Sequence, residues 1–309
     1  MNHKSSGASP NNTPAATGHS RYSGPVPESG SKRKITRRQF LTRGAATLFG
    51  AGLFAGGYVW QGEPNWLEVT RMELPLSNLP SAFSGTRLVH FSDVHLGFNK
   101  DAGDLARLVK HIKDAQPDII CFTGDIVDSN AEDLEDSVAI LAELSAPLGK
   151  YAIFGNHDYK NTELLARLLQ SAGFTVLRNQ SYLIKQGGAV IAVAGLDDLL
   201  QSTPNPEAAL KDVPEGTFTL LLMHEPDYAD TAEGYPFHLQ LSGHSHGGQI
   251  RLPFVGAPYT PYGSLKYISG LYYTAKKMPV YVNRGFGETY MPLRLLCRPE
   301  LTVLTLRRG

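Results

Sequence analysis

Seven side chains of the kinds that bind divalent metal ions follow short apolar runs along this chain. They are Asp93, His95, Asp125, Asn156, His224, His244 and His246. Asp125 comes 32 residues after Asp93, and Asn156 comes 31 residues after Asp125. Because one βαβ unit takes about 30 residues, this spacing predicts polar residues at the carboxyl ends of successive parallel strands. Open α/β sheets place their functional sites at that edge.

The types of candidate ligand narrow the choice of metal ion and of reaction. Carboxylate, imidazole and amide donors without a thiolate suit hard to borderline divalent ions, and Mn, Fe, Zn and Mg all remain candidates. Two such ions about 3.5–4 Å apart can clamp the attacking and leaving oxygens at a phosphorus atom, and they lower the pKa of bound water to about 7. The hypothesis is therefore a binuclear site that cleaves phosphoesters with a hydroxide shared between the two metals.

His157 directly follows Asn156 and is the candidate general acid for the leaving oxygen, with the neighbouring Asp158 expected to hold its ring. A positioned acid of this kind contributes about 10²–10⁴-fold to the rate. His90 and His238 lie within predicted strands and are interpreted as core or surface histidines instead. Asp128 and Glu225 are interpreted as supporting or structural residues, since neither belongs to the ordered ligand series.

In the first half of the chain, predicted strands alternate with predicted helices, and these elements must position the site residues. Strands are predicted at 87–92, 118–123 and 151–154, with helices at 105–112, 134–144 and 163–169 between and after them. This rhythm is typical of parallel strands with right-handed crossovers.

The second half of the chain has strands with little helix between them, at 182–184, 190–194, 218–223 and 237–241. We expect them to form a second, mixed sheet packed on the first. Further strands are predicted at 67–76, 279–283 and 301–306. Residues 251–278, rich in Tyr, Gly and Pro, are predicted to be loop. They are either a wall of the substrate site or a packed surface loop.

The N-terminal region has a different composition. Residues 1–34 are rich in Ser, Gly, Pro, Asn and Thr, which predicts a disordered basic leader. Residues 35–61 resemble a twin-arginine export signal, with Arg37 and Arg38 before an uncharged, glycine-rich stretch. That stretch is short and weak for a membrane span, so a membrane anchor stays an alternative. The boundary of the globular domain is predicted near residue 62.

The globular part carries the acidic charge. From residue 61 onward there are 21 Lys and Arg against 28 Asp and Glu residues. An acidic body argues against a nucleic-acid partner. The cysteines, Cys121 and Cys297, form no CxxC pair or disulfide framework.

Taken together, these motifs resemble those of the calcineurin-like metallophosphoesterases over residues 85–309. The pair Gly248-Gln249 and the stretch 284–287 make the chain similar to the twin-arginine-exported bacterial phosphodiesterases of the YkuE and YaeI type. The resemblance implies a four-layer αββα sandwich of two mixed sheets flanked by helices. It also implies an exported, metal-dependent phosphodiesterase of the periplasm or cell envelope, whose substrate could be a phospholipid or an envelope diester.

The resemblance further implies residue roles. Asp93, His95 and His246 would hold one metal, Asn156, His224 and His244 the other, Asp125 would bridge them, and His157 would be the acid. Two other hypotheses stay open. One is a pyrophosphohydrolase of a UDP-diacylglucosamine type of substrate, although export separates it from that cytoplasmic compound. The other is a non-catalytic protein that uses the fold as a binding surface, although the complete ligand set argues against it.

Overall fold

The computed structural model describes residue 24 and residues 35–309. The predicted disorder of residues 1–34 therefore lies, apart from Gly24, outside the described residues. The chain divides into two compact units, residues 1–49 and 50–309. Helix α1 spans Arg37–Gly57, and its large apolar side chains, such as Phe40 and Phe54, are exposed. Among the described helices, none combines the length and apolar character that a membrane crossing requires.

The described part of residues 50–309 contains two six-stranded sheets. In spatial order, the first sheet consists of β1 (Glu68–Leu76), β12 (Glu300–Arg308), β2 (Arg87–Phe91), β3 (Ile119–Thr123), β4 (Lys150–Ile153) and β5 (Thr175–Val176). The pairs β2–β3 and β3–β4 are parallel, as the alternating pattern predicted. The short strand β5, which was not predicted, pairs in parallel with β4. The C-terminal strand β12 lies between β1 and β2 and runs antiparallel to β2.

The second sheet is mixed, as expected. Its spatial order is β10 (Gly270–Tyr273), β11 (Pro279–Val282), β9 (Leu239–Ser242), β8 (Phe218–Leu222), β7 (Ala189–Gly195) and β6 (Gln180–Gln186). The three central pairings, β7–β8, β8–β9 and β9–β11, are parallel, whereas both edge strands are antiparallel to their neighbours. Strand β10 lies inside the segment 251–278, which the sequence predicted to be loop throughout, and that prediction was wrong.

Apolar side chains define four layers. Leu88 of β2 and Leu220 of β8 belong to one buried cluster, which fills the space between the two sheets. On the outer face of the first sheet, Phe122 packs with side chains of α2 (Ala102–Asp114), α3 (Val138–Ala142) and α4 (Thr162–Ser171). On the outer face of the second sheet, Leu221 packs with α5 (Pro206–Leu210) and α6 (Ala229–Ala232). The predicted αββα sandwich is thus confirmed.

One predicted helix is much shorter than expected. Residues 134–144 were predicted to be helical, but Ala131–Ser137 forms a 3₁₀ segment and the α-helix covers Val138–Ala142 alone. Ser137, with φ −105° and ψ −6°, lies at the junction of the two pieces. The helical spacing of Leu134 and Leu141 is nevertheless real, because both side chains are fully buried in the outer core.

Candidate metal centre

The predicted site residues follow the carboxyl ends of strands, as expected. Asp93 follows β2, Asp125 follows β3 and Asn156 follows β4, whereas His224 follows β8 and His244 follows β9. Backbone hydrogen bonds join adjacent loops: the Asp93 amide donates to the Gly124 carbonyl at 2.9 Å, and the Gly243 amide donates to the His224 carbonyl at 3.1 Å. Both sheets thus contribute residues to one centre.

The backbone of this centre adopts an uncommon conformation. Five of the predicted ligands have a positive φ, between 49° and 66°. They are Asp93, His95, Asp125, His244 and His246. Non-glycine residues seldom adopt this left-handed region, and such strain concentrates at functional sites. The residues are therefore held in these positions by the surrounding structure and not by local preference.

Glycine is required where the loops approach most closely. A Cβ on Gly243 would lie 1.9 Å from the Ser92 hydroxyl oxygen, and one on Gly155 would lie 2.3 Å from Asp125 Oδ1. A side chain at either position would displace a ligand loop. Glycine directly before the predicted ligands Asn156 and His244 therefore permits this close approach.

Asp93, His95 and His246 form one group whose ligand atoms all lie within 4.8 Å of one another. The two Nε2 atoms of His95 and His246 are 3.1 Å apart, and His246 Nε2 is 3.4 Å from Asp93 Oδ1. The side chains of all three residues are buried. These are the three residues that the resemblance assigned to one metal.

Asp125 lies between this group and a second one. Its Oδ2 is 3.6 Å from His95 Nε2 and 3.2 Å from His224 Nε2, and Asp93, Asp125 and His224 also form a compact group. The His244 ring packs against the His224 ring with their centroids 4.9 Å apart. A carboxylate in this position could contact two ions at once, one on each side.

Backbone carbonyls fix the orientation of the histidine rings. His224 Nδ1 lies 2.6 Å from the Thr123 carbonyl, His244 Nε2 lies 2.8 Å from the Tyr262 carbonyl, and His246 Nδ1 lies 3.1 Å from the Gly287 carbonyl. A ring nitrogen that donates to a carbonyl leaves the other nitrogen unprotonated and free to bind a metal ion. No sequence pattern indicates these carbonyl partners, since any residue can provide one.

Eight buried side-chain polar atoms lack a hydrogen-bond partner among the described residues, and three of them belong to predicted ligands: His95 Nδ1, Asn156 Oδ1 and His224 Nε2. His95 Nδ1 lies 3.3 Å from Asp128 Oδ1. A buried acceptor without a partner costs about 1–3 kcal/mol, and metal coordination would satisfy Asn156 Oδ1 and His224 Nε2. The donor set, the free ring nitrogens and these two atoms therefore fit divalent metal ions.

His157 is held by a different residue from the one predicted. Its Nδ1 lies 2.6 Å from the Asp128 carbonyl, and its amide donates to Asp125 Oδ1 at 2.9 Å. Burial by itself lowers the pKa of His157, but the charge of Asp125 and the carbonyl and carboxylate of Asp128 outweigh burial and raise it. A raised pKa keeps the ring protonated to higher pH, which suits a proton donor.

The interpretation of Asp158 as the partner of the His157 ring is corrected by its hydrogen bonds. Its carboxylate accepts backbone amides of Gly155 at 3.0 Å, Asp125 at 2.7 Å and Ile126 at 3.1 Å. Asp158 thus joins the loop after β4 to the loop after β3. Sequence adjacency to His157 was misleading, because the 3₁₀ turn at Asn156–Asn161 turns the two side chains to different neighbours.

The other polar residues lie where they were expected. His90 is fully buried with Nε2 2.8 Å from the Thr123 hydroxyl, and burial lowers its pKa to about 3, so it is a neutral core histidine. His238 accepts the Thr219 amide at 3.1 Å outside the centre. Asp128 supports two rings, since its Oδ1 also lies 3.3 Å from His95 Nδ1. Glu225 is buried and accepts the Leu199 amide.

The fold and the site define a metal-dependent hydrolase class, and comparison with known proteins identifies the family. Residues 86–248 match the model of the calcineurin-like phosphoesterase family. The chain is 42% identical over 284 residues to "Uncharacterized metallophosphoesterase YkuE" of Bacillus subtilis (strain 168), which covers 89% of this chain and 99% of that protein. The chain belongs to the calcineurin-like phosphoesterase family, and it is a hydrolase that acts on phosphoric esters.

Two further relatives are informative. The chain is 33% identical over 282 residues to "Phosphodiesterase YaeI" of Escherichia coli (strain K12), covering 88% of this chain and 99% of that protein. It is 28% identical over 326 residues to "UDP-2,3-diacylglucosamine pyrophosphatase LpxG" of Chlamydia trachomatis serovar D, and the match covers 85% of this chain and 96% of that protein. The resemblance to the YkuE and YaeI type drawn from the motifs is thus confirmed.

Proposed function

We propose that this chain is a binuclear metal-dependent phosphodiesterase. Asp93, His95 and His246 hold one ion, whereas Asn156, His224 and His244 hold the other. The observation that carries the proposal is the position of Asp125, whose Oδ2 faces His95 on one side and His224 on the other at 3.6 and 3.2 Å. When bound, the two ions supply hydroxide at neutral pH and offset the charge that develops at phosphorus.

Side chains and backbone carbonyls of the protein position the ligands and supply the proton. Asp125 would serve both ion sites, and its Oδ1 is held by the His157 amide at 2.9 Å. His157 donates a proton to the leaving oxygen through Nε2, since Nδ1 is engaged by the Asp128 carbonyl at 2.6 Å. The Tyr262 and Gly287 carbonyls keep His244 and His246 from turning away from the ions.

Steady-state hydrolysis by the full chain reconstituted with Mn²⁺ tests this function. Bis(p-nitrophenyl) phosphate and p-nitrophenyl phosphate are offered side by side, with an EDTA-treated sample as the control. We expect chelator-sensitive turnover that favours the diester. A preference for the monoester would indicate a phosphatase instead, and no turnover by protein shown to hold two metals would favour the binding-protein hypothesis.

A pyrophosphatase is the second candidate, because the relative named UDP-2,3-diacylglucosamine pyrophosphatase covers most of this chain. The same metal centre could cleave a phosphoanhydride, since the chemistry at phosphorus is alike. Release of UMP from a UDP-linked sugar, measured against the diester at equal concentration, separates the two activities. Faster UMP release than diester cleavage would replace the phosphodiesterase proposal.

We also propose that the chain is exported by the twin-arginine machinery and acts in the periplasm or cell envelope. Support comes from Arg37 and Arg38 before the uncharged stretch that begins at Gly44. Export in the folded state would allow the metals to be loaded in the cytoplasm. In the double variant Arg37→Lys, Arg38→Lys, active protein is expected to stay inside the cell. Unchanged export, judged by cell fractionation, would overturn this proposal. The variant Arg43→Lys is the matched control.

A further inference from the structure

A cavity of about 270 Å³ lies directly beside the metal centre. Ser245, His246 and Gly248 of the ligand loop contribute to its lining. Pro258, Tyr259, Pro261, Thr289, Tyr290 and Met291 also line it. Because His246 belongs both to the metal group and to the cavity wall, a molecule with its phosphorus at the centre can extend a substituent into this space.

The polar side chains on the ligand-loop side of the cavity are already engaged. The Ser245 hydroxyl donates to the Ile268 carbonyl at 2.6 Å, and His246 Nδ1 lies 3.1 Å from the Gly287 carbonyl. Gln249 donates to the Thr289 and Met291 carbonyls at 3.1 and 2.9 Å and accepts the Thr289 amide at 3.0 Å. These groups therefore offer little hydrogen bonding to an occupant, and the remaining wall is largely apolar.

The charge of the cavity lining also favours an uncharged occupant. Among the described residues that line this cavity, none is Lys or Arg. Proteins recognise a second phosphate, as in a nucleotide diphosphate, with cationic side chains or amide-rich loops. The cavity therefore suits an uncharged substituent better than the nucleotide part of a pyrophosphate substrate.

Exposed apolar side chains extend the cavity outward. The cavity-lining side chains of Tyr259, Tyr290 and Met291 are 65%, 75% and 47% exposed. Contiguous apolar surface beside a functional site is typical of ligand-binding grooves. A chain that leaves the cavity would thus continue over apolar protein surface.

We propose that this cavity is a subsite for the linear alkyl or acyl chain of an amphipathic phosphodiester. The inference rests on the phosphodiesterase function proposed above and names its substrate class. The polar phosphodiester lies at the metal centre, and the chain packs against Ile250, Tyr259 and Met291. The wall that carries Met291 is fixed in place by Gln249.

The test compares two esters that differ only in chain length. Methyl p-nitrophenyl phosphate and octyl p-nitrophenyl phosphate have the same leaving group and the same scissile bond. The full chain with Mn²⁺ is expected to have a kcat/KM for the octyl ester at least about tenfold higher, which corresponds to burial of roughly two methylene groups. Equal kcat/KM values would overturn the subsite and leave the proposed function intact, whereas hydrolysis of neither ester would overturn both.

Substitutions in the cavity lining test whether the preference for the octyl ester arises there. Met291→Asp places a charge in the wall at a half-exposed position, and we expect the octyl-to-methyl ratio to fall to about one. Tyr290→Asp, at a still more exposed position, is the second variant in case the first is unstable. Leu200→Asp is the matched control, since Leu200 is 39% exposed and does not line the cavity, so the ratio should stay as in the unaltered protein. A ratio that persists in both wall variants would overturn the proposal.

Discussion

The loops that carry the metal-type ligands and the wall formed by residues 249–269 and 283–296 differ in how they are held. Asp93 and Asp125 each come two residues after a strand, and backbone hydrogen bonds between neighbouring loops fix them. The wall lies in the connections from β9 to β10 and from β11 to β12. Backbone hydrogen bonds join its two segments, since the Arg251 amide donates to the Leu295 carbonyl at 2.8 Å and the Leu295 amide donates to the Gln249 carbonyl at 3.1 Å. Buried side chains supply its other links.

Arg294 and Gln249 show how few side chains are involved. Arg294 is fully buried and donates to the carbonyls of Arg284 at 3.0 Å, Gly285 at 3.2 Å and Gly287 at 2.5 Å. Gln249 joins the ligand loop to residues 289–291 through three hydrogen bonds. The comparison teaches that strand ends determine the chemistry, whereas a few buried side chains determine the surface that meets the substrate.

The largest expected effect lies at the backbone-supported centre. Asp125→Asn should lower kcat/KM for the diester by about 10³-fold or more, because one carboxylate serves both ion positions and metal catalysis supplies several kcal/mol. Metal content measured alongside activity shows whether an ion is lost. Asp114→Asn, at the exposed end of α2, is the control. Near-normal turnover with full metal content would show that Asp125 does not bridge.

A somewhat smaller effect is expected at His157. His157→Gln should lower the rate by about 10²-fold for an alkyl leaving group, which needs a proton, and much less for p-nitrophenolate, which does not. Rates for the two leaving groups are compared in each variant. His111→Gln, on the exposed face of α2, is the control. Equal losses on both esters would argue against proton donation.

A substitution in the wall should lower the stability of the fold. Arg294→Met leaves the buried Glu288 with Lys100 as its remaining ionic partner, and breaking a buried pair costs about 3–5 kcal/mol. Because Arg294 also holds the Gly287 carbonyl that orients His246, metal affinity should fall about 10–100-fold. Denaturant unfolding and metal titration measure the two effects. The control is Arg167→Met on the exposed face of α4, and an unchanged metal affinity would separate the wall from the centre.

The smallest effect is expected at Gln249. Gln249→Ala removes three hydrogen bonds to residues 289–291, so we expect kcat/KM for the octyl ester to fall less than about tenfold while metal content stays full. Gln170→Ala, an exposed position on α4, is the control. Loss of metal in Gln249→Ala would contradict the separation between the metal ligands and the wall that Gln249 helps to hold.

Much of the metal-ligand region could be predicted from the sequence. The spacing of Asp93, Asp125 and Asn156 predicted strand ends, because a βαβ unit has a nearly constant length. Ligand type then predicted divalent metals, and alternating strands and helices predicted the parallel part of the first sheet. These inferences succeed because each depends on local pattern and on chemistry that belongs to the side chain itself.

The remaining features depend on contacts between distant parts of the chain. Strand β12 reads as a strand from its sequence, but its place between β1 and β2 depends on pairing with residues more than 200 positions away. Asp128 and not Asp158 engages His157, because the path of the backbone determines which polar atoms meet. The carbonyls of Tyr262 and Gly287, and the Arg294 network that holds the latter, have no sequence signature, since every residue carries a carbonyl and long-range contacts select which ones are used.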